Sequence, residues 1–456
     1  MISERNADTV NAFGVKTSVN RNPSSASALD DATTIGDVSD SEKTRFAPLR
    51  VLKVTQSYFP FVERGGPAVK VRSLARGLAR RGHSVSVLTS DLGIEGISNP
   101  ALAIARTNKG WRYHEDGVET RYLDSWGGYR SLTWNPGTFE FCRRELASFD
   151  IVHIYGTYDL LGPIVAAACR RKGIPYVIEP MGMFRPMVRN LALKRAYRRL
   201  FGESVARGAA RLVATSVQEE KELIEEGIPP PKISVRRNGI ELSQLSGAAG
   251  GFRREYGISQ EAFLVLFLGR IVEKKSPDLL IDAFARWRSE THGGQDAALI
   301  FAGPFEIPSY RRKLEARVRR LCLNPLVRFI GPLYDERKWS ALTDADIFVL
   351  PSQHENFGNA AAEAVACGTP VVVTNRCGIA PLIEGRAGLV IAHECAALVR
   401  ALHQLSDATL RESLKLGCGE VARGLSWEQP LAETEALYAD VLRSRSAAPY
   451  EADRTR

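Results

Sequence analysis

Val51-Leu-Lys-Val-Thr55, Pro67 to Arg81, and Ser84-Val-Ser-Val-Leu-Thr89 decide the fold class. They place a β-rich run, a longer amphipathic run and a second β-rich run in direct succession. In the middle run Val71, Leu74, Ala75, Leu78 and Ala79 share one face by helical spacing, and Arg72, Arg76, Arg80 and Arg81 take the other. Gly82 and His83 stop that helix. A strand, a crossover helix and a parallel strand follow from this reading. The unit recurs in Asp150-Ile-Val-His-Ile-Tyr155, a helix through Ala168, and Pro175-Tyr-Val-Ile-Glu179, with Arg211-Leu-Val-Ala-Thr215 as a further strand.

After Asn238-Gly239 the run Leu242-Ser-Gln-Leu-Ser-Gly-Ala-Ala-Gly-Gly251 has the small, flexible composition of a boundary or loop. A second series follows, with strands at Ala262 to Leu268, Ala298 to Ala302, Val327 to Ile330, Ile347 to Leu350 and Pro370 to Thr374. Helices are expected at about 276–291, 308–321 and 359–367. Ser426-Trp-Glu-Gln429 matches a capping box opening a final helix to about Arg443. The expected architecture is α/β, with two Rossmann-like parallel-sheet domains facing a central crevice. Its parts would be a disordered extension over 1–47, domains over 48–240 and 241–425, a returning helix over 426–445, and a flexible tail over 446–456.

Length and composition agree: 456 residues, 44% hydrophobic and 25% charged, fit a globular chain of several domains. Apolar runs such as Ala262 to Leu268 and Ile164 to Cys169 fall far short of the roughly 18 to 20 residues that cross a bilayer. Met1 to Ala47 is rich in Ser, Asn, Asp, Thr and Ala and lacks the basic and apolar regions of a secretory signal. It holds seven acidic against five basic residues, so the excess of 61 Lys+Arg over 52 Asp+Glu lies in the folded part. That basic charge suits nucleic acid, anionic lipid or a phosphorylated small molecule, and by itself selects none. The seven cysteines are scattered and never spaced C-x-x-C, which disfavours a disulfide framework or a zinc site and fits a reducing cytoplasm.

The chemistry concentrates in Glu355-Asn-Phe-Gly-Asn-Ala-Ala-Ala-Glu363. A strand ends at Pro351, a polar loop follows, and a helix opens near Asn359. Gly358 permits close backbone approach, and the free N–H groups of the first turn attract anions. Such a segment holds a diphosphate on the helix end while Glu355 and Glu363 accept hydroxyls; the alternative is two solvated glutamates on an ordinary connection. Gly269-Arg270, followed by Glu273, Lys274 and Lys275, puts cations at a strand's carboxyl end, either for a diphosphate or as a solvated basic loop. Glu63-Arg64-Gly65-Gly66-Pro67 is a close-approach loop or a plain turn, and is neither a G-x-G-x-x-G nor a Walker A sequence. His153 faces the same side of its strand as Tyr155, as a core residue or as a partner in the crevice. Asp344-Ala-Asp346 precedes a strand, so a structural role is expected in place of metal binding. Arg189 to Phe201 is a basic, partly amphipathic helix, packed with a solvated cationic face or touching an anionic membrane or phosphorylated acceptor.

Together these stretches resemble the retaining glycosyltransferases of family 4, two-domain GT-B enzymes, over about residues 49 to 443. The strongest element is the E-x7-E segment Glu355 to Glu363, within Leu350-Pro-Ser-Gln-His-Glu-Asn-Phe-Gly and Ala362-Glu-Ala-Val-Ala-Cys-Gly-Thr-Pro-Val-Val. Gly269-Arg270 with Lys275, Gly65-Gly66, Asp150-Ile-Val-His153, Pro180-Met-Gly182, Asn238-Gly239 and Ser426-Trp427 support it. The pattern is departed from at Ser276, where Gly is usual, at Arg237, where Pro is usual, and at Tyr155, where many relatives carry a second His.

The resemblance implies that Arg270 and Lys275 stabilise the donor diphosphate, Glu363 binds ribose, Glu355 contacts the transferred sugar, and Gly65-Gly66 closes from the first, acceptor-binding domain. His153 stands with the catalytic candidates, and Asn238, Gly269, Phe357, Gly358 and Asn359 with the donor-binding ones. It implies a metal-independent hexosyl transfer, with no cofactor beyond the nucleotide-diphosphate-sugar donor. The acceptor would be a glycan or a lipid-linked intermediate of polysaccharide or glycoconjugate synthesis, at the cytoplasmic face of an anionic membrane, with no nucleic-acid partner. A sugar-nucleotide epimerase would instead alter donor stereochemistry without an acceptor, and a non-catalytic binding module would never release nucleotide.

Overall fold

A computed structural model describes residues 47–61, 66–91, 104–108, 110–129, 132–185, 191–242, 249–291 and 296–447. Residues 1–46 of the extension read over 1–47, Glu63 to Gly65, residues 243–248 of the flexible run, Arg189 and the tail beyond residue 447 lie outside the described residues.

The first lobe is built on β1 (Arg50–Thr55), β2 (Ser84–Ser90), β3 (Ala105–Thr107), β4 (Gly110–Glu115), β5 (Val118–Leu123), β8 (Ile151–Tyr155), β9 (Tyr176–Glu179), β10 (Arg211–Ala214) and β11 (Ile233–Val235). They form one sheet in the order β11-β10-β9-β8-β1-β2-β5-β4-β3. Its strands run parallel except β4, which is antiparallel to β3 and β5. A separate two-stranded hairpin, β6 (Gly128–Tyr129) with β7 (Leu132–Thr133), follows β5. The second lobe is a wholly parallel sheet of β12 (Phe263–Leu268), β13 (Ala297–Ala302), β14 (Val327–Gly331), β15 (Ile347–Leu350), β16 (Val371–Thr374) and β17 (Gly388–Ile391), in the order β14-β13-β12-β15-β16-β17.

The sequence dictates these layers directly. β12 and β13 are almost unbroken apolar runs, and a strand covered on both faces by helices needs apolar residues at every position. The Gly66–Arg80 helix is amphipathic: Val71, Leu74, Ala75 and Leu78 are buried against the first sheet. The antiparallel β3–β5 edge departs from the expected all-parallel sheet. Its cause is the Asp116-Gly117 turn, where φ is +48° and +78°, the backbone a tight hairpin demands.

The final helix, Glu428–Ala447, lies on the first lobe. Gly77 leaves the space that Leu431 fills; a Cβ there would sit 2.5 Å from Leu431 Cδ1. Tyr438 is fully buried with Val51, Val71 and Val177 in the same cluster. The chain therefore passes between lobes twice, and the two passages touch: Ile240 bridges Ser426, and a Cβ on Gly239 would lie 2.6 Å from the Trp427 ring. Among the described residues no helix is long and apolar enough to cross a membrane.

Candidate active site in the interlobe cleft

Parallel sheets deliver their functional loops at the carboxyl ends of strands, and in both lobes those loops converge. After β12 the chain turns at Gly269, whose φ of +142° only glycine adopts readily, and whose missing side chain leaves room for Lys275 Nζ, 3.1 Å from a notional Cβ. A short 3-10 turn, Glu273–Lys275, then presents two lysines. Ser276 ends it at φ +49°, a left-handed conformation that explains glycine as the usual occupant; here Ser276 Oγ is 2.9 Å from His393 Nε2.

After β15 the loop carrying Glu355, Asn356, Phe357 and Gly358 leads into the Asn359–Ala366 helix. Phe357 is buried and anchors the loop. Its carbonyl accepts from Ile379 N at 2.7 Å. Gly358 has φ +100° and ψ +52°, and a Cβ there would overlap Cys377 Sγ at 2.6 Å. This one glycine thus allows the turn that aims the first, unpaired N–H groups of the helix at the cleft.

Of the charged candidates Lys275 and Glu355 meet, while Arg270 and Glu363 pair with residues of other elements. Lys275 Nζ lies 3.4 Å from Glu355 Oε2. Burial pushes the Glu355 carboxyl up, but Lys275, Lys274 and Arg270 together hold it below the usual carboxylate range. Burial pushes the Lys274 ammonium down, against the opposing pull of Glu355. Arg270 is about half exposed and pairs with Glu306. Glu363, one turn into the helix, accepts from Lys338 Nζ at 3.0 Å.

The first lobe closes on this loop through several side chains. Asn238 Nδ2 donates to Asn359 Oδ1 at 2.9 Å. Gly66, at the start of the first helix, approaches Asn359 so closely that a Cβ would be 3.0 Å from Asn359 Nδ2. Asn356 Nδ2 reaches Thr215 Oγ1 and, at 3.0 Å, Glu219 Oε2. His354 Nε2 is 2.6 Å from Glu222 Oε1. Glu219 in turn accepts from Thr215 N at 2.7 Å and Gly182 N at 2.5 Å, so one carboxylate ties two first-lobe loops to Asn356. His354, Asn356, Glu219, Glu222, Lys338 and Glu306 were not read from the sequence. Asn356 and His354 flank Glu355 in the segment already singled out, and that adjacency was the available signal.

The cleft therefore gathers Arg270, Lys275, Glu355, Gly66, Asn238, Gly269, Gly358, Asn359 and Glu363, while Phe357 lies beneath it in the core of the second lobe and Gly65 lies outside the described residues. His153 is not among them, which corrects its reading as a crevice residue. It is fully buried, its Nδ1 is 2.7 Å from Tyr438 Oη, its ring stacks on Tyr155 at 4.2 Å, and Nε2 lies 3.6 Å from Glu179. Burial and the neighbouring Lys53 and Arg236 push its pKa well below the ordinary histidine value. The returning helix covers this strand face, and nothing in the local sequence of β8 announced that cover.

Asp344 and Asp346 serve structure: Asp344 accepts from Gly250 N and, at 3.0 Å, Arg253 N, and Asp346 pairs with Arg253 Nη2 at 2.7 Å. Among the described residues no cluster of three or more His, Cys, Asp or Glu is placed to hold a metal ion.

Comparison with known proteins gives a consistent result. The model of glycosyl transferases group 1 matches residues 251–416, and that of the glycosyl transferase 4-like domain matches residues 65–239. D-inositol 3-phosphate glycosyltransferase of Thermomonospora curvata is 31% identical over 395 residues, 80% of this chain and 88% of that protein. The protein of the same name from Geodermatophilus obscurus is 29% identical over 418 residues, 85% of this chain and 87% of its own. Among solved structures, sucrose-phosphate synthase from Thermosynechococcus elongatus superposes with a TM-score of 0.66 at 20% identity, covering 87% of this chain and 100% of that one. HepE of Anabaena in complex with UDP and glucose gives 0.66 at 18% identity with the same coverage.

Proposed function

The chain belongs to the group 1 glycosyl transferases, with two GT-B lobes and a nucleotide-sugar donor, and from that premise we propose how its cleft performs the transfer. The donor's diphosphate lies between Arg270 and Lys275 on one side and the first-turn N–H groups of the Asn359–Ala366 helix on the other. Glu363 exchanges Lys338 for the ribose hydroxyls, and Glu355 orients the transferred hexose. Gly66 and Asn238 close over the donor from the first lobe.

The bond from the sugar's anomeric carbon to the diphosphate breaks, and a bond from the same carbon to an acceptor hydroxyl oxygen forms on the same face. The hydroxyl proton passes to the departing phosphate oxygen, so configuration is retained and no oxidation state changes. Negative charge grows on the diphosphate in the transition state, where fixed cations and helix N–H groups act more strongly than in the ground state. The observation that carries this reading is the convergence of Lys275, Glu355 and the glycine-capped helix tip within one loop cluster.

Losing Lys275 or Arg270 removes one charge-stabilising donor, which costs on the order of 10² to 10³ in rate. Lys275→Ala and Arg270→Ala assayed against a panel of UDP-, GDP- and ADP-sugars test it; undiminished turnover would remove the assignment.

The acceptor in this reading is a glycan or lipid-linked intermediate met at the cytoplasmic face of an anionic membrane. The support is the helical run Leu191–Gly208, where Leu193, Leu200 and Phe201 are exposed at 57%, 69% and 39% beside exposed Arg195 and Arg199. Binding to anionic vesicles that salt reverses supports it, and indifference to lipid charge counts against it.

A further inference from the structure

The segment between β5 and the Gly137–Arg144 helix carries an aromatic surface that the transfer chemistry leaves unused. Trp126, Trp134 and Phe139 are 78%, 43% and 49% exposed, and the Trp134 and Phe139 rings lie 5.8 Å apart. Trp126 N donates to Trp134 O at 2.9 Å and Trp134 N to Gly127 O at 3.0 Å, which fixes the two tryptophans at the open end of the β6–β7 hairpin.

Beneath this surface the hairpin is held by a buried polar network rather than by apolar packing. Gln56 Nε2 donates to Thr133 Oγ1 at 2.6 Å. Thr133 Oγ1 lies 3.1 Å from Ser90 Oγ and 2.6 Å from Asn135 Oδ1. Asn135 Nδ2 reaches Leu123 O at 2.9 Å and Ser125 Oγ at 3.0 Å, and Ser125 Oγ donates to Asp91 at 2.5 Å. These partners are the residues that end or follow β1, β2 and β5, three parallel strands whose carboxyl ends share one edge. It is the edge from which Gly66 reaches Asn359. Gln56 Oε1 is buried with no hydrogen-bond partner among the described residues.

An exposed aromatic surface on the cleft-facing edge, its tryptophans fixed at the backbone, suits the apolar C–H face of a pyranose ring, with polar groups at its margin for hydroxyls. The carboxylates that flank it in the chain, Asp124 and Glu140, are paired with Arg106 and Arg144, so these charges are matched at its margin, which suits a neutral saccharide better than an anionic bilayer. We propose that Trp126, Trp134 and Phe139 form an acceptor subsite for a saccharide longer than one sugar unit, holding its inner residues while the terminal hydroxyl enters the cleft. This rests on the glycosyl-transfer reading above and narrows its acceptor to an oligosaccharide or the glycan portion of a glycolipid.

The test uses the full chain on an array of neutral oligosaccharides, beside the W126A/W134A and W126Y/W134Y variants, with donor binding followed separately by the melting shift with UDP, GDP and ADP. The expected result is binding of neutral oligosaccharides that falls by about tenfold or more in W126A/W134A and persists in W126Y/W134Y, with the donor shift unchanged in all three. An array that retains no neutral oligosaccharide, or retains the same ones equally on W126A/W134A, overturns the subsite. So does a loss of anionic-vesicle binding in W126A/W134A without any glycan effect. Absence of a donor shift in the unmodified chain, with glycan binding intact, would instead sink the transfer reading and leave the subsite standing.

Discussion

Gly358→Ala is the perturbation whose cost is most fully determined by the geometry. Two penalties are separable. The backbone stands at φ +100° and ψ +52°, and a side chain in that left-handed region costs about 1 to 2 kcal/mol. The new Cβ would lie 2.6 Å from Cys377 Sγ and 3.3 Å from Ile379 Cγ2, an overlap in a packed interior worth about 1 to 3 kcal/mol. The sum, roughly 2 to 5 kcal/mol, is a large part of a typical domain's stability.

Cys377→Ala removes the sulfur that causes the overlap but leaves the backbone untouched. In a double-mutant cycle by urea denaturation, Gly358→Ala should therefore be less damaging on the Cys377→Ala background by about 1 to 3 kcal/mol, with the backbone part remaining. Additivity of the two substitutions within about 0.5 kcal/mol would refute the steric account, and a negligible cost of Gly358→Ala would refute the backbone account as well.

Asp159, buried at the start of the Leu161–Lys172 helix, is pushed up to about 6 by burial, against hydrogen bonds from Gly162 and Leu161 N–H. An acid whose folded pKa is raised stabilises the fold below its unfolded value near 4, and that stability is lost as pH rises through about 6. Asp159→Asn should thus gain up to about 3 kcal/mol over the parent at pH 8 and little at pH 4; a difference independent of pH would refute this. Ser276→Gly relieves a left-handed residue worth about 1 kcal/mol but loses the contact with His393, worth about the same, so the melting temperature should stay within a few degrees. Asn356→Ala should leave the fold intact and raise the donor KM, because its amide is what ties the Glu355 loop to Thr215 and Glu219; an unchanged KM would show that tie to be unimportant.

The parallel-sheet core was legible because strands covered on both faces must be apolar throughout, as β12, β13 and β15 are. The helix opening at Asn359 was legible for a different reason: Gly358 precedes a run of helix formers, and Gly368-Thr-Pro370 ends it. The antiparallel edge carries its signal in Asp116-Gly117, a two-residue turn between β-rich runs. His153 shows a harder limit. Alternation along β8 gives the side of the sheet its ring faces, but whether that side is open depends on Tyr438, 285 residues away. Likewise Lys338 beside Glu363 and Glu306 beside Arg270 come from other elements, and local spacing carries no record of such partners.

The most direct measurement is a crystal structure of the chain with a nucleoside diphosphate bound. Its phosphate oxygens should lie within about 2.7 to 3.2 Å of Lys275 Nζ, the Arg270 guanidinium and the N–H groups of Asn359 to Ala361, with Glu363 on the ribose. A diphosphate lodged elsewhere, or a cleft where these groups keep their present partners at saturating nucleotide, would contradict the account.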